Sequence, residues 1–233
     1  WAYRRLAVTL DAADGAIKEW HQLAVRPEKM AKSEGFPTSG REIRLTTPVT
    51  EEQMRQLKVG DVVLINGVIR TGRDAMHKYL IEHDEAPADL NGSIIYHCGP
   101  VMLKDEAGKW SVKAAGPTTS IREEPYQAEV MRHFGVKAVI GKGGMGSGTL
   151  LACQQVPAVY LHAVGGAAAL IAGCIKEVLG VYKREFGVPE AMWLLRVQDL
   201  PLVVSMDAHG NSLHQEILDA SKQVLTRKFT RQG

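Results

Sequence analysis

Ala138-Val139-Ile140-Gly141-Lys142-Gly143-Gly144-Met145-Gly146-Ser147-Gly148 is a short apolar run that passes directly into a segment with five glycines among eight residues. The apolar part has the length and composition of a buried strand. The glycines weaken any regular element unless something needs their backbone freedom. On the N-terminal side Glu123–Phe134 has a helical pattern, and on the C-terminal side Val159–His162 is a second short apolar strand. Helix, strand, glycine loop and strand in succession indicate an α/β domain.

The same rhythm extends outward. Ile43–Thr46, Asp61–Ile65, Val68–Arg70, Ile94–Cys98, Trp110–Ala114, Leu194–Val197 and Leu202–Ser205 have strand character. Asn66-Gly67 is a tight-turn signal between the second and third of these. Arg73–Asp84 and the small-residue run Gly166–Leu179 have helical patterns. Thr50-Glu51-Glu52-Gln53 and Ser212-Leu213-His214-Gln215 have the capping-box signature. Behind the second box, Leu213, Ile217, Ala220, Val224 and Leu225 recur at near-helical spacing, with Lys222, Arg227 and Lys228 late in the helix, where its dipole favours cations. The early part is richer in strands than a simple doubly wound sheet allows.

Residues 1–40 differ from the rest. Leu6–Leu10 and Ile17–Trp20 are strand-like around an Asp14-Gly15 turn, and 32–40 has linker composition, so the boundary falls near Arg41. The chain has 233 residues, 45% hydrophobic and 23% charged, enough for one large domain with an extension and a core that needs no disulfides. A formal net charge of +2 supplies no basic field for nucleic acid. Val164–Ile175 is too short and too rich in glycine and alanine to span a membrane, and no signal peptide is visible. Cys98, Cys153 and Cys174 lie far apart, without CxxC or zinc spacing. They are expected as reduced, mostly buried thiols of a cytoplasmic protein. The start at Trp1 without Met is the pattern of a fragment or a processed product.

Three segments join a cation to glycines or small hydroxyl residues at inferred strand ends. They are Thr71-Gly72-Arg73-Asp74-Ala75-Met76-His77, Gly116-Pro117-Thr118-Thr119-Ser120-Ile121-Arg122, and the glycine segment around Lys142. Arginine matches a carboxylate with a planar fork, glycine lets backbone N–H groups approach, and helix N-termini add positive potential. Together they fit a small dianion. Plain alternatives remain for each: a solvated helix start at Arg73-Asp74, a turn and cap at Gly116–Ser120, and a flexible loop at Gly141–Gly148. The third segment fails the P-loop template, because its Gly-Lys pair comes first and no Ser or Thr follows the lysine. His77, one helical turn beyond Arg73, faces the same region. Asp207-Ala208-His209-Gly210 reads as a polar turn.

Taken in this order, Gly72-Arg73-Asp74-x-x-His77, Gly116-Pro117-Thr118-Thr119-Ser120-x-Arg122, Gly141-Lys142-Gly143-Gly144-Met145 and Gly165-Gly166-Ala167-Ala168-Ala169-Leu170 resemble the C-terminal, beta-type domain of the iron–sulfur hydro-lyases, the class I fumarase and L-tartrate dehydratase family. The resemblance runs from about Arg41 to the C-terminus. It implies a three-layer swivelling β/β/α domain over 41–233, with 1–40 resembling the end of an alpha-type domain. It implies reversible addition of water to fumarate to give malate, with tartrate dehydration or mesaconate hydration as variants. By the resemblance, Arg73, Arg122 and Lys142 bind substrate carboxylates, Thr118 takes part in proton transfer, and His77 and Asp74 support them. It also implies that a 4Fe-4S cluster sits on an alpha-type domain or subunit. This chain itself then holds no metal, is inactive alone, and belongs to a cytoplasmic homodimer. A non-catalytic anion-binding module and a structural assembly domain are the competing readings.

Overall fold

The structure, a computed structural model, describes residues 6–11, 13–14, 16–22, 39–83 and 85–230. The chain divides into two units, 1–36 and 37–233. In the first, β1 (Leu6–Leu10) pairs antiparallel with β2 (Ile17–Gln22). Asp11 and Asp14 accept the N–H groups of Ala13 and Ala16 in the connection, while Gly15 and most of the expected linker lie outside the described residues.

The second unit begins with β3 (Ile43–Thr46) and α1 (Glu51–Gln56). The predicted capping box forms: Gln53 N donates to Thr50 Oγ1 at 3.3 Å and Thr50 N donates to Gln53 Oε1 at 2.9 Å. There follow β4 (Val62–Thr71), α2 (Asp74–Glu82), β5 (Ile94–Tyr96), β6 (Val101–Lys104), β7 (Trp110–Ala114), α3 (Glu124–Phe134), β8 (Ala138–Gly141), α4 (Ser147–Gln155) and β9 (Val159–His162). The chain closes with α5 (Ala168–Cys174), β10 (Ile175–Tyr182), β11 (Met192–Met206) and α6 (Leu213–Thr230). Strands β6 and β7 form a separate antiparallel pair. No described helix is long and apolar enough to cross a membrane.

Seven strands form one mixed sheet in the order β10-β11-β9-β8-β5-β4-β3. The pairs β3–β4, β4–β5, β5–β8 and β8–β9 are parallel. Strand β11 runs antiparallel to β10, β4 and β9. Because its early part lies on β4 and its end lies on β9, the pairings close a ring through β4, β5, β8, β9 and β11. The short parallel strands are buried almost throughout, which is why Ile94–Tyr96 and Ala138–Ile140 are continuous apolar runs rather than alternating ones. Helices α2, α3 and α4 cover them through Met76, Leu80, Val130, Met131, Ala152 and Cys153.

Several expectations need correction. Asn66-Gly67 is not a hairpin turn: β4 runs straight through it as one strand. Gly67 has φ +95°, and a Cβ there would lie 2.4 Å from Thr47 Oγ1, which accepts the N–H of Val68 at 2.6 Å. Opposite, β11 shifts register between Val197 and Leu200, with Asp199 at φ 49° and its N–H donated to Asn66 Oδ1. The bulge therefore lies on β11, where Gln198 and Asp199 stand opposite Asn66, and Gly67 takes its positive φ beside it without turning the strand. The two late strands are likewise halves of one 15-residue strand. The helix expected over 166–179 stops at Cys174, and Ile175–Tyr182 becomes β10, because a free edge of β11 recruits it over its helical propensity. Strand β6 and helix α4 were not anticipated.

The final helix forms with half of its expected cap. Gln215 N donates to Ser212 Oγ at 3.4 Å, while the Gln215 side chain donates to Asp219. Its apolar stripe stays uncovered within this chain, with Ile217, Val224 and Leu225 each more than half exposed. Asp207 makes the polar turn expected there, accepting from Val59, His209 and Asn211.

Candidate functional site

Four adjacent parallel strands end at the same edge. Beyond β4 come Gly72 and Arg73, beyond β5 come His97 and Cys98, beyond β8 comes Lys142, and beyond β9 comes Ala163. Backbone bonds carry the alignment past the strand ends. Gly72 N donates to Tyr96 O at 3.0 Å, His97 N to Ile140 O at 2.8 Å and Ala163 N to Gly141 O at 2.8 Å. The Gly116–Arg122 segment lies across this edge. Thr118 donates both its N–H and its hydroxyl to His97 O, at 2.8 and 3.0 Å, while Lys142 N donates to Thr118 O and Ser120 N donates to Lys142 O. Lys142 is thus held opposite Thr119, bonded to Thr118 and Ser120 on either side, and Thr118 and Lys142 are both half-buried. The region beyond the carboxyl ends of parallel strands is where α/β sheets bind ligands.

Arg73 precedes α2, and its Nη2 lies 3.2 Å from Glu190 Oε1. The second oxygen of Glu190 accepts Ala75 N in the first turn of that helix. Arg122 is ion-paired with Asp74, the next residue after Arg73. Both arginines therefore share one anchored cluster at the N-terminus of α2. A guanidinium carries five N–H donors, so one carboxylate partner leaves others for a ligand. Glu123 lies beneath, 1% exposed. Burial, with Asp74 beside it, raises its carboxyl to about 8.

His77 is fully buried, not an exposed member of the site. Its Nδ1 lies 3.0 Å from Arg73 O, and its Nε2 lies 3.0 Å from the side-chain amide of Gln127. The same amide is 2.8 Å from His97 Nε2, and His97 Nδ1 is 2.9 Å from Ser120 Oγ, which also accepts the Tyr160 hydroxyl. A polar chain thus runs under the whole edge, from the carbonyl of Arg73 to the segment that carries Thr118. Nδ1 of His77 faces a carbonyl and must carry the proton, so a neutral ring leaves Nε2 as an acceptor; the atom placed there is Gln127 Oε1, and turning the amide over would instead point its NH₂ group, which has no partner among the described residues, at both histidines.

Burial lowers the pKa of both imidazoles, His97 to about 3. A folded pKa below the unfolded 6.5 means that the unfolded chain binds more protons below that pH, so stability falls as pH drops toward 3. The stability advantage of wild type over a His97→Gln variant should therefore shrink as pH is lowered from 7 to 4, read as urea midpoints. A gap that does not change with pH would show that His97 is not held neutral.

The glycine loop has a different role from the one its composition invites. Gly143 and Gly144 have φ of +81° and +78°, and a Cβ on Gly144 would meet the His214 ring at 2.4 Å. The N-terminus of α4 behind the loop is filled from within: Glu124 accepts Gly146 N at 2.7 Å, Thr149 N at 3.1 Å and the Thr149 hydroxyl at 2.7 Å. Gly141-x-Gly143-x-x-Gly146 has the spacing of the dinucleotide fingerprint between β8 and α4, but a phosphate there would have to displace this carboxylate.

The cysteines do not fit a cluster. Cys98 and Cys153 are buried, with burial pushing both thiols up to about 12, and Cys174 is half-buried at the end of α5. Among the described residues, no group of three His, Cys, Asp or Glu side chains is placed to hold a metal ion.

Of the residues singled out from sequence, Arg73, Asp74 and Arg122 share one charge cluster, and Thr118 and Lys142 share one backbone pairing. Glu190, Glu123, His97, Gln127 and Tyr160 were missed as partners. Glu123 stands next to the Gly116–Arg122 segment, but nothing local marks the others as partners; the sheet order, parallel strands and antiparallel β11 together, brings them there.

Residues 15–217 match the Fumarase C-terminus family. A Geobacillus stearothermophilus protein provisionally named a class I fumarate hydratase is 56% identical over 237 residues, covering 97% of this chain and 45% of that protein. The L(+)-tartrate dehydratase subunit beta of Escherichia coli (strain K12) is 42% identical over 174 residues, covering 74% of this chain and 86% of the subunit. A provisionally named L(+)-tartrate dehydratase subunit beta of Methanocaldococcus jannaschii is 43% identical over 175 residues, covering 72% of this chain and 89% of that subunit. The chain spans less than half of the Geobacillus protein.

Proposed function

Because this chain belongs to the Fumarase C-terminus family, we propose that it is the cationic half of a hydro-lyase that interconverts fumarate and malate. In this reading Arg73 and Arg122 hold substrate carboxylates through the N–H donors not used by Glu190 and Asp74. Lys142 neutralises further substrate charge, and Thr118 stands beside the carbon that gives up its proton. Removing that proton builds negative charge on the neighbouring carboxylate. Cations already fixed by Glu190, Asp74 and the backbone stabilise that charge without reorganising.

The observation that supports the reading is that β4 and β8 end at one edge with Arg73 and Lys142 beyond them, and that Thr118 is bonded across the same edge to His97 and Lys142. The cysteines of this chain do not suit an iron–sulfur cluster, so a cluster belongs to an alpha-type part. The alpha-type part is read as fused to this chain rather than separate. The Geobacillus match includes nearly all of this chain, whereas the beta-subunit matches leave about a quarter of it outside. The swivelling of the domain, the homodimer and the cytoplasmic setting belong to the same proposal.

Assays of the whole enzyme with fumarate, mesaconate and L-tartrate test it, with fumarate expected to have the highest kcat/KM. Lys142→Ala should raise KM for fumarate by roughly 10- to 100-fold, the loss of one charge-assisted hydrogen bond. Unaltered kinetics in that variant, or turnover of none of the three acids, would remove the assignment.

A further inference from the structure

Glu123 ends the 3-10 turn Ser120–Glu123 and is 1% exposed. The groups that face it are Asp74 and His77 of α2, Arg122 of its own turn, and Glu190 from the segment before β11. Of these only Arg122 favours the ionised form, and burial together with Asp74 outweighs it. Arg122 is paired with Asp74, and Glu190 is paired with Arg73. His77 Nδ1 lies 3.9 Å from Glu123 Oε2 but is directed at Arg73 O, in a ring that burial keeps neutral. Among the described residues, Glu123 Oε2 has no hydrogen-bond partner. An ionised carboxylate here would be desolvated between two other carboxylates. A protonated one becomes a donor, and Asp74 is within its hydrogen-bonding reach.

We propose that Glu123 is a positioning residue that holds a proton donated to Asp74, and that this proton keeps the arginine cluster fit to receive a dianionic substrate. The inference rests on the hydro-lyase reading above. With the proton in place, Arg73, Arg122, Asp74 and Glu190 balance in charge around a neutral Glu123. Without it, the same cluster gains a negative charge beside the substrate carboxylates, and Asp74 loses its donor.

The test is the pH profile of the whole enzyme with fumarate and with malate between pH 6 and 9.5. In wild type, KM should rise above about pH 8 and reach about tenfold by pH 9, as the competent fraction falls, while kcat changes less. Glu123→Gln still donates to Asp74 but cannot ionise, so its KM should lack this rise. Glu123→Met, apolar and of similar length, gives the same comparison if the amide variant does not fold. A variant KM profile that superimposes on wild type overturns the inference.

Urea unfolding gives a second readout that needs no turnover. The raised carboxyl predicts that wild type loses stability relative to Glu123→Gln as pH rises from about 4.5 through 8. Parallel pH trends in the two proteins would show that Glu123 holds no such proton and would overturn the inference by themselves. If no dicarboxylate is turned over, the hydro-lyase reading fails and the substrate half of the inference falls with it. The unfolding comparison then still decides whether the proton is there.

Discussion

Arg73→Ala in the whole enzyme should lower kcat/KM for fumarate by about 10²- to 10³-fold, equivalent to roughly 3–4 kcal/mol of transition-state stabilisation. The magnitude follows from where the guanidinium sits. Its side chain is only 21% exposed, and Glu190 holds one end of it at 3.2 Å, so it is fixed before any ligand arrives. A fixed cation in a partly desolvated edge stabilises developing charge far better than a mobile one in water. The fold should tolerate the change. Glu190 keeps its bond from Ala75 N, and the backbone carbonyl of Arg73 still accepts from His77 N. Loss of stability should therefore stay near 1 kcal/mol while the kinetic loss is much larger. Arg73→Lys should recover little, because a point charge cannot engage Glu190 and a substrate carboxylate at once. Arg44, paired with Asp199 on the exposed face, is the control, and its replacement by alanine should leave kcat/KM within twofold. If Arg73→Ala also stays within twofold, the cation cluster is not a substrate clamp.

The cationic side chains were legible in the sequence because each sits beside a glycine or hydroxyl run at a strand end. Gly72-Arg73, Gly116–Arg122 and Gly141-Lys142 announce themselves locally. Their carboxylate partners do not. Glu190 is 117 positions from Arg73 and reaches it only because the antiparallel β11 pairs with β4, bringing the start of β11 to the end of β4. Gln127 has an ordinary helical setting, yet it bridges two histidines that are 20 positions apart. The fold errors have a single physical origin as well. Asn66-Gly67 signals positive φ, which Gly67 takes inside a continuous strand, and only the partner strand, bulged at Gln198-Asp199, shows why no turn is made. Likewise the run after Cys174 lies at the margin between helix and strand, and the open edge of β11 settles it. Helix α4 was hidden by its own glycines, Gly146 and Gly148; the Glu124 carboxylate, which caps the helix from a distance, offsets their low propensity.

Gly141→Ala should be the most destabilising single-methyl change in the site, by roughly 2–4 kcal/mol, or a fall in Tm of roughly 5–15 °C for a chain of this size. The objection is purely steric, since Gly141 does not have positive φ. A Cβ at this position would lie 1.7 Å from Ser120 Oγ, 2.9 Å from the Tyr160 hydroxyl and 3.1 Å from Ser120 Cβ. Ser120 cannot simply swing away. Its oxygen is bonded to His97 Nδ1 and to Tyr160 Oη, each at 2.9 Å, and its N–H is donated to Lys142 O. Displacing it breaks two buried hydrogen bonds and shifts the strand end that carries Thr118 and Lys142, so activity should fall even in the fraction that stays folded. Adding Ser120→Ala removes the closest contact but orphans His97 and Tyr160, so it should restore only part of the stability. Gly143→Ala separates this steric effect from backbone strain. Nothing lies within 4 Å of a Cβ there, and its φ of +81° predicts a loss of only about 1–2 kcal/mol. Thermal unfolding that finds Gly141→Ala no worse than Gly143→Ala would mean that the contact between these two chain segments is looser than the structure draws it, and the alignment of Thr118 with Lys142 would lose its support.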